Sequence, residues 1–426
     1  MKVLVLGAGV VGVTTAYYLW RAGHEVTVLE RHASPGQETS FGNAGGLCPS
    51  FAGPWAAPGM ISKVIKLTLQ KESPISFRPR ADWQQLSWIL RWMAECTPAR
   101  FHHNKLRMQR SAHYSLRCLR ELMAETGLSN FDFYSGGVLQ IFQTDQELAL
   151  GRLSATALNE FGIPWEMLEG DQLLRVEPGL KHSQVPVKGG LYLPADASGD
   201  SFKFCAELSS YLSERGVQFL YDVDVKRLVH QGSRVQAVET SQGRLEADGY
   251  VVALGSFAPH LLKPLGITLP LYPLKGYSIT VPVTDPDAVP MMPVMDEHNK
   301  VMISRLGQRI RAAGMAELTG YGLDFAPSKK ETLVNAVKAL FPQGLDWDQV
   351  SYWSGLRPMT PDGPPVLGPT PYGNLFLNSG HGSNGWTQAC GTSKVVADLI
   401  DGRTPDIDLE GLTLDRYNKK GPHASR

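Results

Sequence analysis

Three glycines and one acid near the amino terminus carry the first chemical signal. Gly7-Ala8-Gly9-Val10-Val11-Gly12 follows the apolar run Val3-Leu4-Val5-Leu6, and Glu30 stands 23 positions after Gly7. Gly7 permits a tight turn, Gly9 lets backbone approach a pyrophosphate, and Gly12 lets a helix pack on a strand. The amides of Ala8, Val10 and Val11, with the positive end of a helix dipole, suit phosphate. Glu30 can accept hydrogen bonds from both hydroxyls of an adenosine ribose, which disfavours a 2′-phosphate, and Arg31 follows it at the same rim. Such a fingerprint is weak alone. Between a strand and a helix, with its acid in place, it points to a dinucleotide and leaves NAD or FAD open.

Two further glycine-rich loops favour a flavin. In Glu38-Thr39-Ser40-Phe41-Gly42-Asn43-Ala44-Gly45-Gly46, the residues Ser40, Asn43, Ala44, Gly45 and Gly46 would wrap a pyrophosphate and ribityl chain with backbone N–H and short side chains. NAD has no need of that loop. Near the carboxyl end, Gly380-His381-Gly382 and Gly385-Trp386-Thr387 form a third junction of strand, turn and helix start. His381 there either touches the ring or holds its own loop. Gly255 ends an apolar strand and brings backbone towards the cofactor, while Val225 suits either an adenine edge or plain core.

These loops need elements to position them. Strands are predicted at 3–6, 25–29, 217–220, 223–229, 234–241, 244–248, 250–255 and 374–378, with helices at 10–22, 202–215 and 386–399. The 84–94 segment, with Leu86, Trp88, Ile89, Leu90, Trp92 and Met93 around Arg91, reads as a helix packed into a substrate domain or facing a membrane or quinone. The 419–426 tail is expected to fray.

Composition narrows the function further. The 426 residues suit two or three domains, and 41 basic residues balance 41 acidic ones, which argues against a nucleic-acid partner. Five Cys form no C-x-x-C and no metal spacing with His, so neither a disulfide framework nor a metal site is expected, and a reducing, cytoplasmic compartment fits. The first apolar run stops at Gly7, unlike a signal peptide, and no apolar window of about 18 residues predicts a spanning helix. A soluble chain, or one attached at a membrane surface, is expected.

The blocks, in this order, resemble the D-amino-acid-oxidase-type FAD oxidoreductases. The resemblance is carried by the run from Val3 to Glu30, by Glu38-Thr39-Ser40 with Asn43-Ala44-Gly45, and by Ala56-Ala57-Pro58-Gly59. It continues in Tyr272-Pro273-Leu274-Lys275-Gly276-Tyr277-Ser278, in Gly314-Met315-Ala316-Glu317 and in Gly355-Leu356-Arg357-Pro358-Met359-Thr360-Pro361-Asp362-Gly363. It implies an α/β fold: a Rossmann-like FAD-binding domain of the D-amino acid oxidase type, interleaved with an antiparallel-sheet, α+β substrate domain. The expected division is 1–59, 181–260 and 351–426 for the first, 60–180 and 261–350 for the second.

The resemblance also implies non-covalent FAD and oxidation of an amine carbon by hydride transfer to the flavin, giving a 2-oxo acid and ammonia from a D-amino acid. The family's dehydrogenase branch implies a peripheral attachment to the inner face of an inner membrane and a respiratory quinone as acceptor. A secondary-amine dehydrogenase acting on D-hydroxyproline or sarcosine-like substrates, or an oxygen-using oxidase, is the alternative. Some relatives attach flavin through a Cys where Gly355 stands here, so no covalent link is expected at that position. The chain departs from the family pattern at Ser383-Asn384, where a Thr-Leu pair is usual, and across Gly45-Gly46-Leu47-Cys48-Pro49; both departures bear on substrate preference.

An amino-acid substrate needs its carboxylate fixed. Arg357 is the catalytic-site candidate for this, because a planar guanidinium grips a carboxylate with two parallel hydrogen bonds. Tyr277 is the second candidate, bonding the same carboxylate, closing the pocket or lying in core. Arg305 and Arg311 are further cationic candidates for the carboxylate, with a solvated or structural role as the preferred alternative. No general base is required when the amine binds neutral, since positioning and the cofactor then supply the chemistry.

Overall fold

The computed structural model describes residues 1–68, 75–77, 80 and 82–417, so the expectation for 419–426 lies outside the described residues. Lys2–Leu6 is a central strand of a six-stranded sheet, flanked in parallel by Glu25–Leu29 and Gly249–Val252. Gln218–Leu220 extends the sheet on one side and Leu375–Ser379 on the other, both parallel. Val366–Pro369 closes it as an antiparallel edge. Val3, Leu4, Val5 and Leu6 are all buried, as a strand covered on both faces requires.

Val10–Arg21 forms the first helix and shares one core with Ser201–Ser213 and Gly385–Ile400 through Val13, Ala16, Phe204, Leu208 and Val396. The opposite layer is a three-stranded meander, Val225–Gln231, Arg234–Thr240 and Gly243–Leu245, which packs Val235 and Val238 against Leu4 and Leu6. This is a Rossmann-like layer arrangement.

A second sheet runs in the order Ser351–Met359, Tyr272–Pro282, Arg309–Leu318, Val301–Leu306, Val294–Asp296, Val138–Phe142, Gly189–Leu193 and Glu166–Leu168. It is antiparallel apart from the pairing of Val294–Asp296 with Val138–Phe142 and the short Ile75–Phe77 strand added beside Arg309–Leu318. The Pro327–Leu340 helix covers its outer face through Leu333, Val337 and Leu340.

Three elements fall across the expected domain boundaries. Gly189–Leu193 and Ser351–Met359 hydrogen-bond into the second sheet, although 181–260 and 351–426 were expected with the first. The Pro98–Thr126 helix, inside 60–180, instead enters the first core with Leu116, Leu119 and Leu122. Loop spacing does not reveal which ladder a strand joins; only non-local pairing does.

The predicted 84–94 helix spans Trp83–Glu95 and is capped by Asp82, whose carboxylate accepts from the Gln84 amide. Trp88 is buried beside Tyr272 and donates to the Met359 carbonyl at 2.8 Å. Trp83, Leu86, Leu90 and Met93 remain exposed on the same helix. Burial of Trp88 agrees with the packed reading of this helix. No described helix is long and apolar enough to cross a membrane.

Candidate active site

A cavity of about 950 Å³ is lined from both sheets, at the upper end of the range for small-molecule sites. Of the predicted cofactor residues, Gly7, Gly9, Val10, Val11, Glu30, Arg31, Ser40, Asn43, Ala44 and Gly46 line it. So do Val225, Gly255, His381, Gly382, Gly385, Trp386 and Thr387.

Ala8, Gly12, Gly45 and Gly380 do not border it, which corrects their expected direct contact. Ala8 is buried, with its amide spent on Glu30. A Cβ on Gly12 would stand 1.8 Å from the Gly7 carbonyl oxygen, so this glycine serves helix–strand contact. Gly45 and Gly380 form turns that shape the loops from behind.

Local bonds hold the cofactor wall rigid. Glu30 accepts from the Ala8 amide at 2.8 Å and from the His32 amide at 3.0 Å, which fixes its carboxylate at the strand end. The Ser40 hydroxyl accepts from the Val10 amide at 3.0 Å, tying the second loop to the helix start. Arg31 lies 4.1 Å over the Phe257 ring and pairs with Glu38. Arg311, buried in the second sheet, donates to the Phe41 carbonyl at 2.7 Å and to Thr280 Oγ1 at 3.1 Å. It therefore anchors the 38–46 loop across the two sheets, the structural alternative of its sequence reading. Arg305 reaches the carbonyls of Gly307 and Pro286.

His381 sits within 3.0 Å of Thr392 Oγ1, and burial pushes its pKa down to about 3, so the imidazole is neutral at physiological pH. Asn378, which sequence reasoning did not single out, lines the cavity, and its buried carboxamide oxygen has no partner among the described residues. Backbone-rich loops, a helix start covered only by a serine hydroxyl, this orphaned acceptor and the volume together fit a flavin dinucleotide.

The other part of the cavity is built on the second sheet. Arg357 pairs across the ladder with Leu274, and Gly355 with Gly276. Side chains alternate along a strand, so Arg357 leans over Gly276 on one face while Tyr277 projects to the other. A Cβ on Gly276 would lie 2.3–2.5 Å from the guanidinium nitrogens and carbon. Likewise a Cβ on Gly355 would lie 1.9 Å from the Trp353 ring. The facing glycines form a trough that receives both large side chains.

Arg357 donates to the Met315 carbonyl at 2.8 Å. That carbonyl is aimed by a bulge: Met315 and Ala316 together oppose Gly276, and Met315 adopts φ +61°. Among the described residues no carboxylate pairs with Arg357. Burial lowers its pKa to about 10, and it remains charged at neutral pH. A partly desolvated cation at a cavity wall without an anion is chemically suited to receive one.

The two predicted catalytic side chains are not brought together. Tyr277 borders the cavity, yet its hydroxyl donates to Glu317 Oε2 at 2.5 Å and its ring packs on Phe325. Glu317 also pairs with buried Lys275 at 3.2 Å. The phenol is thus committed on the far face of the strand. The sequence signal for the neighbours that matter was the glycine in Lys275-Gly276-Tyr277, read with its cross-strand partner.

Fold and cavity together define a flavin-type oxidoreductase framework, two sheets sharing one dinucleotide-sized site. The chain belongs to the FAD dependent oxidoreductase family, whose pattern matches residues 2–399. It is 48% identical over 424 residues to the D-amino acid dehydrogenase of Cereibacter sphaeroides, covering 100% of this chain and 97% of that one. It is 47% identical to the D-amino acid dehydrogenase of Agrobacterium fabrum, covering 98% and 100%. Among solved structures, glycine oxidase from Geobacillus kaustophilus superposes with a TM-score of 0.74 at 22% identity over 100% of both chains. L-proline dehydrogenase from P. horikoshii gives 0.74 at 19% identity over 98% and 97%. These structural likenesses establish the fold.

Proposed function

We propose that this chain oxidises D-amino acids to 2-oxo acids and ammonia with non-covalently held FAD. The observation that carries the reading is the half-buried Arg357 guanidinium, charged, facing the cavity and without a described carboxylate partner. It binds the substrate α-carboxylate, while the carbonyl of Met315 keeps its plane fixed. Non-covalent attachment is supported by Gly355, where Trp353 leaves no room for a side chain that could bond the cofactor.

Bound along the cavity, FAD supplies the two-electron acceptor. The protein's part is geometric: Arg357 orients the substrate so that its α-hydrogen faces the cofactor, and the neutral His381 adds no charge to that wall. The amine enters unprotonated, and the imine product hydrolyses after the α-hydrogen has left. Similarity to the two dehydrogenases supports the D-configuration and an acceptor other than oxygen. A quinone acceptor at a membrane surface is supported by the exposed Trp83, Leu86, Leu90 and Met93.

Anaerobic titration tests the reading. D-Alanine, D-leucine and D-proline should bleach the yellow holoenzyme, and their L-enantiomers should not. Bleaching by L-amino acids alone would reverse the stereochemical assignment. Oxygen consumption matching turnover would replace a quinone by oxygen, and co-sedimentation with anionic vesicles lost in L86E/L90E would support the surface contact.

A further inference from the structure

The wall around Arg357 is apolar. Met315 lines the cavity beside the carbonyl that holds the guanidinium, and Ile75 pairs with the next residue, Ala316. Met302, opposite Ala313, approaches within 3.5 Å of a Cβ placed on Gly46 in the cofactor loop. Trp55 completes this wall from the other sheet's side. It packs on the cluster of Leu274, Ala316 and Met359, and its indole N–H donates to Ser383 Oγ at 3.3 Å. Ser383 belongs to the glycine loop before the Gly385–Ile400 helix. The bond thus spans from the 52–59 loop to the loop that lines the cofactor cavity.

Two polar pairs at the cavity are satisfied internally. His298 Nδ1 lies 2.8 Å from Glu147, and Lys300 pairs with Glu297. Lys63 is exposed to solvent. Beside the carboxylate clamp, Met315, Ile75 and Trp55 offer a substrate side chain thioether, aliphatic and indole surface, which methionine can adapt to several shapes.

Resting on the reading of Arg357 as the carboxylate clamp, we propose that Trp55, held by Ser383, forms the side-chain wall and selects apolar D-amino acids of several carbons over short or acidic ones. Trp55 touches the substrate; Ser383 is a positioning residue that acts through it. Each additional buried methylene discriminates by about tenfold or more in such a pocket.

The test uses the FAD-loaded full chain and D-leucine, D-alanine and D-glutamate, followed by anaerobic flavin reduction. In the parent, kcat/KM should be at least tenfold higher for D-leucine than for D-alanine, and higher again relative to D-glutamate. W55A should reduce the leucine-to-alanine ratio about tenfold, and W55F should hold most of it. S383A should raise KM for D-leucine several-fold with kcat little changed and shift the tryptophan emission, and S383T, which keeps a hydroxyl, should restore both. A ratio within twofold of the parent in folded W55A overturns the wall. Unchanged KM and emission in S383A overturn the latch. If no D-amino acid reduces the flavin, the proposed activity fails and the wall with it; reduction with an unaltered ratio removes the wall alone.

Discussion

At the scale of single residues, the decisive fact is a cation without a counter-ion. Arg357 is half-buried, is held by a backbone carbonyl and meets no described carboxylate. Removing a buried charged partner from a complex costs about 2–5 kcal/mol. R357A should therefore lower kcat/KM by roughly 30-fold to several thousandfold while leaving the flavin absorbance of the purified protein intact. R357K should recover little, because one ammonium does not reproduce a planar fork.

A buried carboxyl group gives a pH signature. Asp196 accepts from the amide and hydroxyl of Ser50 with one oxygen, while the other has no partner. Burial raises its pKa from 3.8 to about 7. The native state then holds a proton that the unfolded chain has released, so the associated stability is complete below pH 4 and lost as pH rises through 7. D196N keeps the accepting oxygen and never ionises. Its stability relative to the parent should climb between pH 4 and 7, by up to roughly 4 kcal/mol, in denaturant titrations across that range.

At the scale of elements, two junctions leave room for glycine alone. The Val10–Arg21 helix approaches the Lys2–Leu6 strand so closely that only hydrogen fits at Gly12. G12A should separate them and strip the cofactor: the purified variant should be nearly colourless, with thermal unfolding several degrees lower. Full flavin occupancy in G12A would contradict this junction.

The second junction is the facing pair Gly276 and Gly355. A methyl on Gly276 displaces the guanidinium, whereas a methyl on Gly355 displaces Trp353. G276A should thus raise KM for amino acids more than tenfold in a protein that stays yellow. Retained KM in that variant would mean that the clamp is elsewhere. That the two glycines face each other was not legible in the one-dimensional sequence, because they stand about 80 positions apart and the close contacts are made by neighbouring side chains.

At the scale of the whole molecule, the site belongs to neither sheet. Arg311 and Arg357 come from the second sheet, while the loops around Gly9, Ser40 and His381 come from or beside the first. A ligand bridging both sheets should couple their unfolding. Apo-protein prepared by mild flavin removal should melt at a lower temperature and regain it on titration with FAD, by about 4 kcal/mol at a thousandfold excess over Kd. Scanning calorimetry should show one cooperative transition with FAD and an earlier onset without it; identical melting curves would exclude the bridge.

The sequence by itself determined the dinucleotide framework, because its signals are local. A buried strand, a glycine turn, a helix and an acid at the next strand end occur within about 25 residues, and the same local grammar marked the two other loops. It also marked Arg357, through a specific run. What it did not determine was which side of a strand each side chain takes, because side-chain direction in a sheet depends on non-local register. Pairing of Leu274 with Arg357, and of Lys275 with Glu317 across a bulge, sent the guanidinium into the cavity and the Tyr277 hydroxyl to Glu317. Register likewise assigned 189–193 and 351–359 to the second sheet. Those choices are made by hydrogen-bond ladders between segments remote in the chain, so only the tertiary structure decides them.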